Sequence, residues 1–272
     1  MMKRWISLLL TLLTAAALTA CGGGKTEEVE LTVFAAASMQ ETLTEIGEKY
    51  MADHENVALT FNFDSSGTLK TQIQEGAVCD IFISAGQKQM DQLDITASAE
   101  VNTEGLDFVQ EGTRFDLLEN KVALAVPEGN PAGIGSYDDL KAALEAGTVL
   151  LAMGNSDVPV GQYTQKIFAW WGLDEASLAA GGCITYGSNV KEVTTQVAEG
   201  AVDCGIIYGT DAFSAGLTVV DAATAEMCGQ VIYPAAVLSI SAHPDEAKAF
   251  LDYVRSADGA AVLESVGFTP LG

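Results

Sequence analysis

The sequence predicts an α/β protein of two lobes, each built on a doubly wound, mostly parallel sheet. Three observations carry that expectation. Apolar strand-like runs alternate with helix-like ones along most of the chain. The segment Glu75-Gly76-Ala77-Val78-Cys79-Asp80-Ile81 has an echo in Glu199-Gly200-Ala201-Val202-Asp203-Cys204-Gly205-Ile206, each reading as a helix end, a glycine stop and a buried strand. With 272 residues, 49% hydrophobic and only 18% charged, the chain can bury two modest cores and is too apolar to remain disordered.

Taken in order, residues 1–20 read as an address. Lys3 and Arg4 precede an apolar stretch from Trp5 to Leu18 that is short for a bilayer span, and Leu18-Thr19-Ala20-Cys21 follows. This reads as a secretory signal peptide whose end resembles a bacterial lipobox, with Cys21 acylated as the mature N-terminus. Residues 21–28, opening with Gly22-Gly23-Gly24, read as a flexible tether. Strand and helix then alternate: strand 31–36 and helix 39–52, strand 57–63 and helix 68–75, strand 80–84 and helix 87–93. A second set runs through strand 122–126, helix 137–145, strand 149–152, helix 162–171, helix 190–199 and strand 205–208. The last strand, 231–240, and helix, 245–254, have the option of returning to the first lobe.

Charge narrows the functional classes. Against 37 Asp and Glu the chain has 13 Lys and Arg, a net charge of -24. Loss of residues 1–20, which hold two basic groups and no acidic one, takes it to -26. Nucleic acid is excluded as a partner, because phosphate contacts need basic side chains that are scarce here. Small anions are repelled at long range, so an anion site requires a specific local cause. Besides Cys21 the cysteines are Cys79, Cys183, Cys204 and Cys228, which allow three pairings and show no zinc or redox spacing. Cys79 and Cys204 open apolar strands, as buried free thiols do.

In open α/β sheets ligands bind beyond the carboxyl ends of strands, where helix N-termini present unpaired N–H groups. Four such loops stand out. Ala35-Ala36-Ala37-Ser38-Met39-Gln40-Glu41 has the Ser-x-x-Glu spacing of a capping box, so Ser38 either caps its helix or donates to a ligand. Asp64-Ser65-Ser66-Gly67-Thr68 places two hydroxyls and a glycine at a second helix start. Asp157-Val158-Pro159-Val160-Gly161 and Gly187-Ser188-Asn189-Val190-Lys191-Glu192 supply two more, the last again box-like. Tyr208 ends a buried strand as a phenolic donor or as an ordinary core tyrosine. Past the signal segment the arginines are Arg114 and Arg255, outside these loops, so no guanidinium clamp is visible.

These residues resemble the periplasmic, ModA-type molybdate-binding proteins of ABC transporters over nearly the whole mature chain. The most specific pieces are Thr32-Val33-Phe34-Ala35-Ala36-Ala37-Ser38, Ser65-Ser66-Gly67-Thr68-Leu69, Asp80-Ile81-Phe82-Ile83-Ser84-Ala85, Val158-Pro159-Val160-Gly161, Ile206-Ile207-Tyr208-Gly209-Thr210-Asp211-Ala212 and Tyr233-Pro234. The resemblance implies a type II periplasmic-binding-protein fold, with lobe I at 29–109 plus 234–272 and lobe II at 110–233, joined by two crossings. It implies a molybdate or tungstate ligand held by the hydroxyls of Ser38, Ser66 and Tyr208 and by N–H groups of Ser38, Ser66, Val160 and Val190. It implies no cofactor, a monomer anchored to the membrane through Cys21 on the extracytoplasmic face or in the periplasm, and delivery to a permease powered by an ATPase. Asp64 departs from the family pattern of a small neutral residue, and is expected to point away from a dianion.

The rivals are a different oxyanion, sulfate or phosphate; an enzyme on the same scaffold; and a lipoprotein acting only through protein contacts. His54 and His243 lie in polar segments away from the four loops, which disfavours acid–base catalysis.

Overall fold

A computed structural model describes residues 28–271. The signal segment, Cys21 and the tether up to residue 27 lie outside the described residues. The chain runs β1 (Val29–Ala36), a 3₁₀ turn (Ala37–Met39), α1 (Gln40–Asp53), β2 (Val57–Asp64), α2 (Ser66–Gln74), β3 (Ile81–Ile83), α3 (Gln87–Asp91), β4 (Phe115–Asn120) and β5 (Val122–Val126). It continues through α4 (Tyr137–Ala146), β6 (Leu151–Gly154), α5 (Pro159–Trp171), α6 (Glu175–Ala180), β7 (Ile184–Gly187), α7 (Val190–Ala198), β8 (Cys204–Tyr208), α8 (Gly209–Ser214) and β9 (Thr218–Ala222). The remainder is α9 (Ala225–Cys228), β10 (Val231–Val237), α10 (Pro244–Val254), α11 (Ala257–Ser265) and β11 (Thr269–Pro270).

The strands form two sheets, ordered β11-β4-β10-β3-β1-β2 and β7-β6-β8-β5-β9, one in each lobe. Each has a core of three parallel strands: β3, β1 and β2 in the first, β8, β6 and β7 in the second. The other pairings are antiparallel. The expected mostly parallel sheets are thus parallel only in these cores, and the reason is connectivity. β4 carries the chain out of lobe I and β10 brings it back, so when paired they must run in opposite directions. The same holds for β5 and β9 in lobe II.

These strands also move the expected lobe limits. Because β4 pairs with β10 in the first sheet, residues 115–120 belong with lobe I. The chain changes sheets at Lys121, the single residue between β4 and β5, and returns between Ala222 and Val231. The boundaries expected at 110 and 234 therefore shift to these points. The C-terminal segment does return to the first lobe: β11 pairs with β4, and α10 packs on β10 and β1.

The internal echo is structural as well. In one lobe α2 leads to β3, in the other α7 leads to β8, and each strand lies parallel to the first strand of its lobe's parallel core. Both helices stop at a glycine in the left-handed region, Gly76 (φ 91°) and Gly200 (φ 66°), where a side chain would strain the backbone. Leu31, Val33, Ile81 and Ile83 in lobe I, and Leu151, Val193, Ile206 and Ile207 in lobe II, are fully buried. Burial of each contributes about 1.5–3 kcal/mol, which holds the strand ends in register at the cleft. Cys79, Cys183, Cys204 and Cys228 are all buried and free. Burial pushes the Cys204 thiol up to about 12, so it stays protonated and unreactive.

Candidate functional site

The three parallel strands of each sheet end at a common place. Residues just beyond β1 (Ala37, Ser38), β2 (Ser65, Ser66) and β3 (Ala85) meet those beyond β6 (Val158, Pro159, Val160) and β7 (Val190), and Tyr208 at the end of β8. With Ala36 and Asp64 they border a small cavity of ≈ 10 Å³ between the lobes. Ser38, Ser66, Val160, Val190 and Tyr208 all line it, and all five are buried. The parallel registers explain the convergence: Ala36 lies opposite Asp64 at the end of β1 and β2, and Gly154 opposite Gly187 at the end of β6 and β7.

Each loop contributes donors for its own reason. Ser65 is the N-cap of α2, its Oγ accepting from the Thr68 N–H at 3.1 Å, which leaves Ser66 in the first turn with its N–H outside the intrahelical ladder. Ser66 Oγ accepts from the Ala85 N–H at 2.9 Å, so its own proton remains free to be donated. α5 opens with Pro159 at its first position, where the missing N–H costs nothing, and Val160 follows. α7 is capped by Asn189, whose side chain accepts from the Glu192 N–H at 3.1 Å, while Glu192 reaches back to the Ser188 N–H at 2.7 Å. That is the box-like pattern the spacing predicts, shifted by one residue on the return bond.

Ser38 behaves differently from the capping reading. The chain after β1 enters a 3₁₀ turn before α1, and Ser38 makes no capping bond. Its Oγ lies 2.9 Å from the Tyr233 hydroxyl. The Asn120 amide donates to the same phenol at 3.2 Å and to Thr210 Oγ1 at 2.9 Å. Tyr233 can therefore donate to Ser38, leaving the Ser38 proton for a ligand. Tyr208 makes a long 3.5 Å bond to the Ala85 carbonyl of the other lobe. Burial, reinforced by Tyr233, Tyr163 and Asp211, raises its phenol well above the usual range, so it is a neutral donor at any physiological pH.

Among the described residues, the lining contains no Lys, Arg or His, and Asp64 is its one acidic residue. Asp64 Oδ1 accepts from the Ser65 N–H at 2.7 Å and from Asn189 Nδ2 of the opposite lobe at 3.3 Å. Asp64 is among the residues that border the cavity, and its Oδ1 joins the lobes through Asn189. The two arginines among the described residues are engaged elsewhere: Arg114 with Asp91 (2.6 Å) and Asp94 (2.8 Å), Arg255 over the Phe115 ring. A wider, more open groove beside Arg114 is lined by Asp94, Asp107, Glu111 and Asp116 and offers an anion little. His54 stacks on Tyr50, and neither it nor His243 borders the cavity.

Local sequence patterns did not single out Ala85, Asn120 or Tyr233 as site residues. The partners of the Asn120 Nδ2 and of the Tyr233 hydroxyl lie 90 or more residues away, so no spacing rule reaches them. Removing the Ser66 hydroxyl should cost the site both a donor and the support of Ala85. Ser66→Ala is expected to weaken anion binding about tenfold, measured by calorimetry. Unchanged affinity would place the ligand elsewhere.

Two α/β lobes meeting around a small cavity lined by neutral donors and one acidic residue define a solute-binding protein. The chain belongs to the bacterial extracellular solute-binding protein family, whose model matches residues 31–269. YvgL of Bacillus subtilis, assigned as an ABC-transporter substrate-binding lipoprotein, is 31% identical over 89% of this chain and 87% of its own. The molybdate-binding protein ModA of Mycobacterium tuberculosis is 31% identical over 97% of this chain and 98% of its own. Among solved structures, a substrate-binding domain assigned to a molybdenum ABC transporter of Clostridium difficile superposes with a TM-score of 0.64 at 31% identity, covering 90% of this chain and all of that one.

Proposed function

We propose that this protein captures molybdate or tungstate outside the cytoplasm, as a tetrahedral dianion, and hands it to an ABC-type importer. The observation that carries the reading is the cavity itself: six strand ends from two lobes converge on one space lined by neutral donors and, among the described residues, by no cation. Ser38, Ser66 and Tyr208 would donate hydroxyl protons, and Ser38, Ser66, Val160 and Val190 backbone N–H groups. About seven such bonds to a charged acceptor, each worth roughly 1.5–3 kcal/mol, can bind a dianion without a counter-charge. The helix ends at α2, α5 and α7 add their partial positive charge at contact distance.

Selectivity follows from size and protonation. Rigid strand ends set the distance between opposing donors, so a smaller sulfate would leave some bonds stretched. Donors alone suit a fully deprotonated ion, whereas hydrogen phosphate also needs an acceptor. Among the described residues Asp64 is the only acidic one lining the cavity, and the amide groups on its Oδ1 favour a role in closing the lobes. Acylated Cys21 would tether the protein to the membrane beside its permease.

A thermal-shift series with molybdate, tungstate, sulfate and phosphate tests this. Molybdate and tungstate should raise the melting temperature with the logarithm of their concentration, by about 2.7 kcal/mol of stabilisation at 100 times Kd. A shift with phosphate and none with molybdate would overturn the assignment and make Asp64 a ligand acceptor.

A further inference from the structure

The first residues of α7 do more than face the cavity. Asn189 reaches Asp64 across the cleft, Val190 lines the space, and the ammonium of Lys191 is placed between two carboxylates. One is Glu41 of α1 in the other lobe, whose oxygens lie 2.8 and 2.9 Å from Nζ. The second is Asp211 of α8, in the same lobe as Lys191, with Oδ1 at 3.2 Å. The two partners differ in kind. The Asp211 side chain is fully buried and, among the described residues, neither of its oxygens has a well-directed hydrogen bond, whereas Glu41 is half exposed.

A buried carboxylate of that kind is costly unless a cation stands beside it. Asp211 therefore holds Lys191 within lobe II whether the lobes are apart or together, and Glu41 is the partner gained on closure. Sequence proximity ties all three to the ligand contacts: Glu41 follows Ser38 by three residues, Lys191 follows Val190 by one, and Asp211 follows Tyr208 by three. We infer that Lys191, braced by Asp211, is a positioning residue that latches lobe II onto Glu41 of lobe I when an anion is enclosed, slowing its release. This rests on the reading of the cleft as an anion site. The latch adds to affinity chiefly through the dissociation rate, because its Glu41 contact forms only after the lobes meet.

The test titrates wild type and variants with whichever of molybdate, tungstate, sulfate and phosphate the wild type binds most tightly. A wrong choice of ligand thereby sinks the molybdate reading and leaves the latch open to test. Glu41→Gln should speed dissociation about threefold to tenfold with little change in association, and Glu41→Lys, which sets two cations face to face, should do so more strongly. Ligand-free melting should not change, since Glu41 is half exposed on its own lobe. In a Lys191→Met background Glu41→Gln should have no further effect, and high salt should bring the wild type toward Glu41→Gln. Wild-type dissociation rates in both Glu41 variants, or an undiminished Glu41→Gln effect without Lys191, would overturn the latch. Should Lys191→Met not fold, the two Glu41 variants and the salt series decide the question.

Discussion

Gly67→Ala is expected to weaken anion binding by about 100-fold or more while leaving the ligand-free protein as stable as before. Gly67 sits in the first turn of α2 in lobe I, and a Cβ there would fall well inside van der Waals contact distance of the Asp157 carbonyl oxygen and 3.1 Å from the Asp157 Cβ, both in lobe II. Backbone cannot step aside as a flexible side chain can. Overpacking of this kind costs about 1–3 kcal/mol or more, and here it falls wholly on the closed arrangement. Within lobe I the same substitution replaces glycine by the best helix former, a gain of up to about 1 kcal/mol. The two effects thus separate: calorimetry should show the lost affinity, and thermal melting without ligand should not fall. Solution scattering should find the variant open at anion concentrations that close the wild type. Binding within threefold of wild type would mean that the lobes need not approach this closely to hold the ligand.

How much of this arrangement was legible beforehand depended on whether its cause was local. Five of the six parallel strands, β1, β2, β3, β6 and β8, could be read from sequence because each is an apolar run with a helix close after it; β5 and the start of α4 fall where expected. β4 was missed because Phe115-Asp116-Leu117-Leu118-Glu119-Asn120 alternates imperfectly and has no helix after it. β7 and β9 escaped for a related reason: each is an edge strand of four or five residues, with Tyr186 and Val219 substantially exposed. At the site, Asn189-x-x-Glu192 did cap its helix. Ser38-x-x-Glu41 matched the same spacing and did not, because both residues are claimed by distant partners, Ser38 by Tyr233 and Glu41 by Lys191. A spacing rule weighs only local competition, and tertiary contacts won at this loop.

The same distinction resolves the tension between a strongly acidic chain and an anion site. Net charge acts over about a Debye length, some 8 Å at physiological salt, and among the described residues every carboxylate but those of Asp80, Asp94 and Asp211 belongs to an at least partly exposed residue. Among the described residues the one acidic residue bordering the cavity is Asp64, and two amide groups meet its Oδ1. What faces the ligand is a set of short-range dipoles fixed by strand ends, and these strengthen as water is excluded. Long-range repulsion then bears on the rate of encounter more than on the bound state, so added salt should speed association.

Unfolding free energy should depend on pH in an unusual direction between about pH 4 and pH 6.5, and Asp211→Asn should remove that dependence. Burial pushes the Asp211 carboxyl from 3.8 up to about 6; Lys191 opposes the rise and Glu41 adds to it. The phenols of Tyr208 and Tyr233 are the other titratable groups influenced by it, and both stay protonated throughout this range. A carboxyl whose folded pKa is raised binds a proton more readily in the native state than in the unfolded chain. Its contribution to stability is complete below about pH 3.8 and is lost as pH rises through 6. A shift of about two units corresponds to roughly 3 kcal/mol. Ordinary paired carboxylates act the other way: Asp94, held down by Thr96 and Arg114 against its burial, stabilises above 3.8 and loses that effect in stronger acid. Urea unfolding of ligand-free protein at pH 4.5, 5.5, 6.5 and 7.5 should therefore show wild type gaining on Asp211→Asn by about 2 kcal/mol as pH falls. Parallel curves would mean that Asp211 keeps an ordinary acidity, which would require Lys191 to compensate the buried carboxylate almost completely.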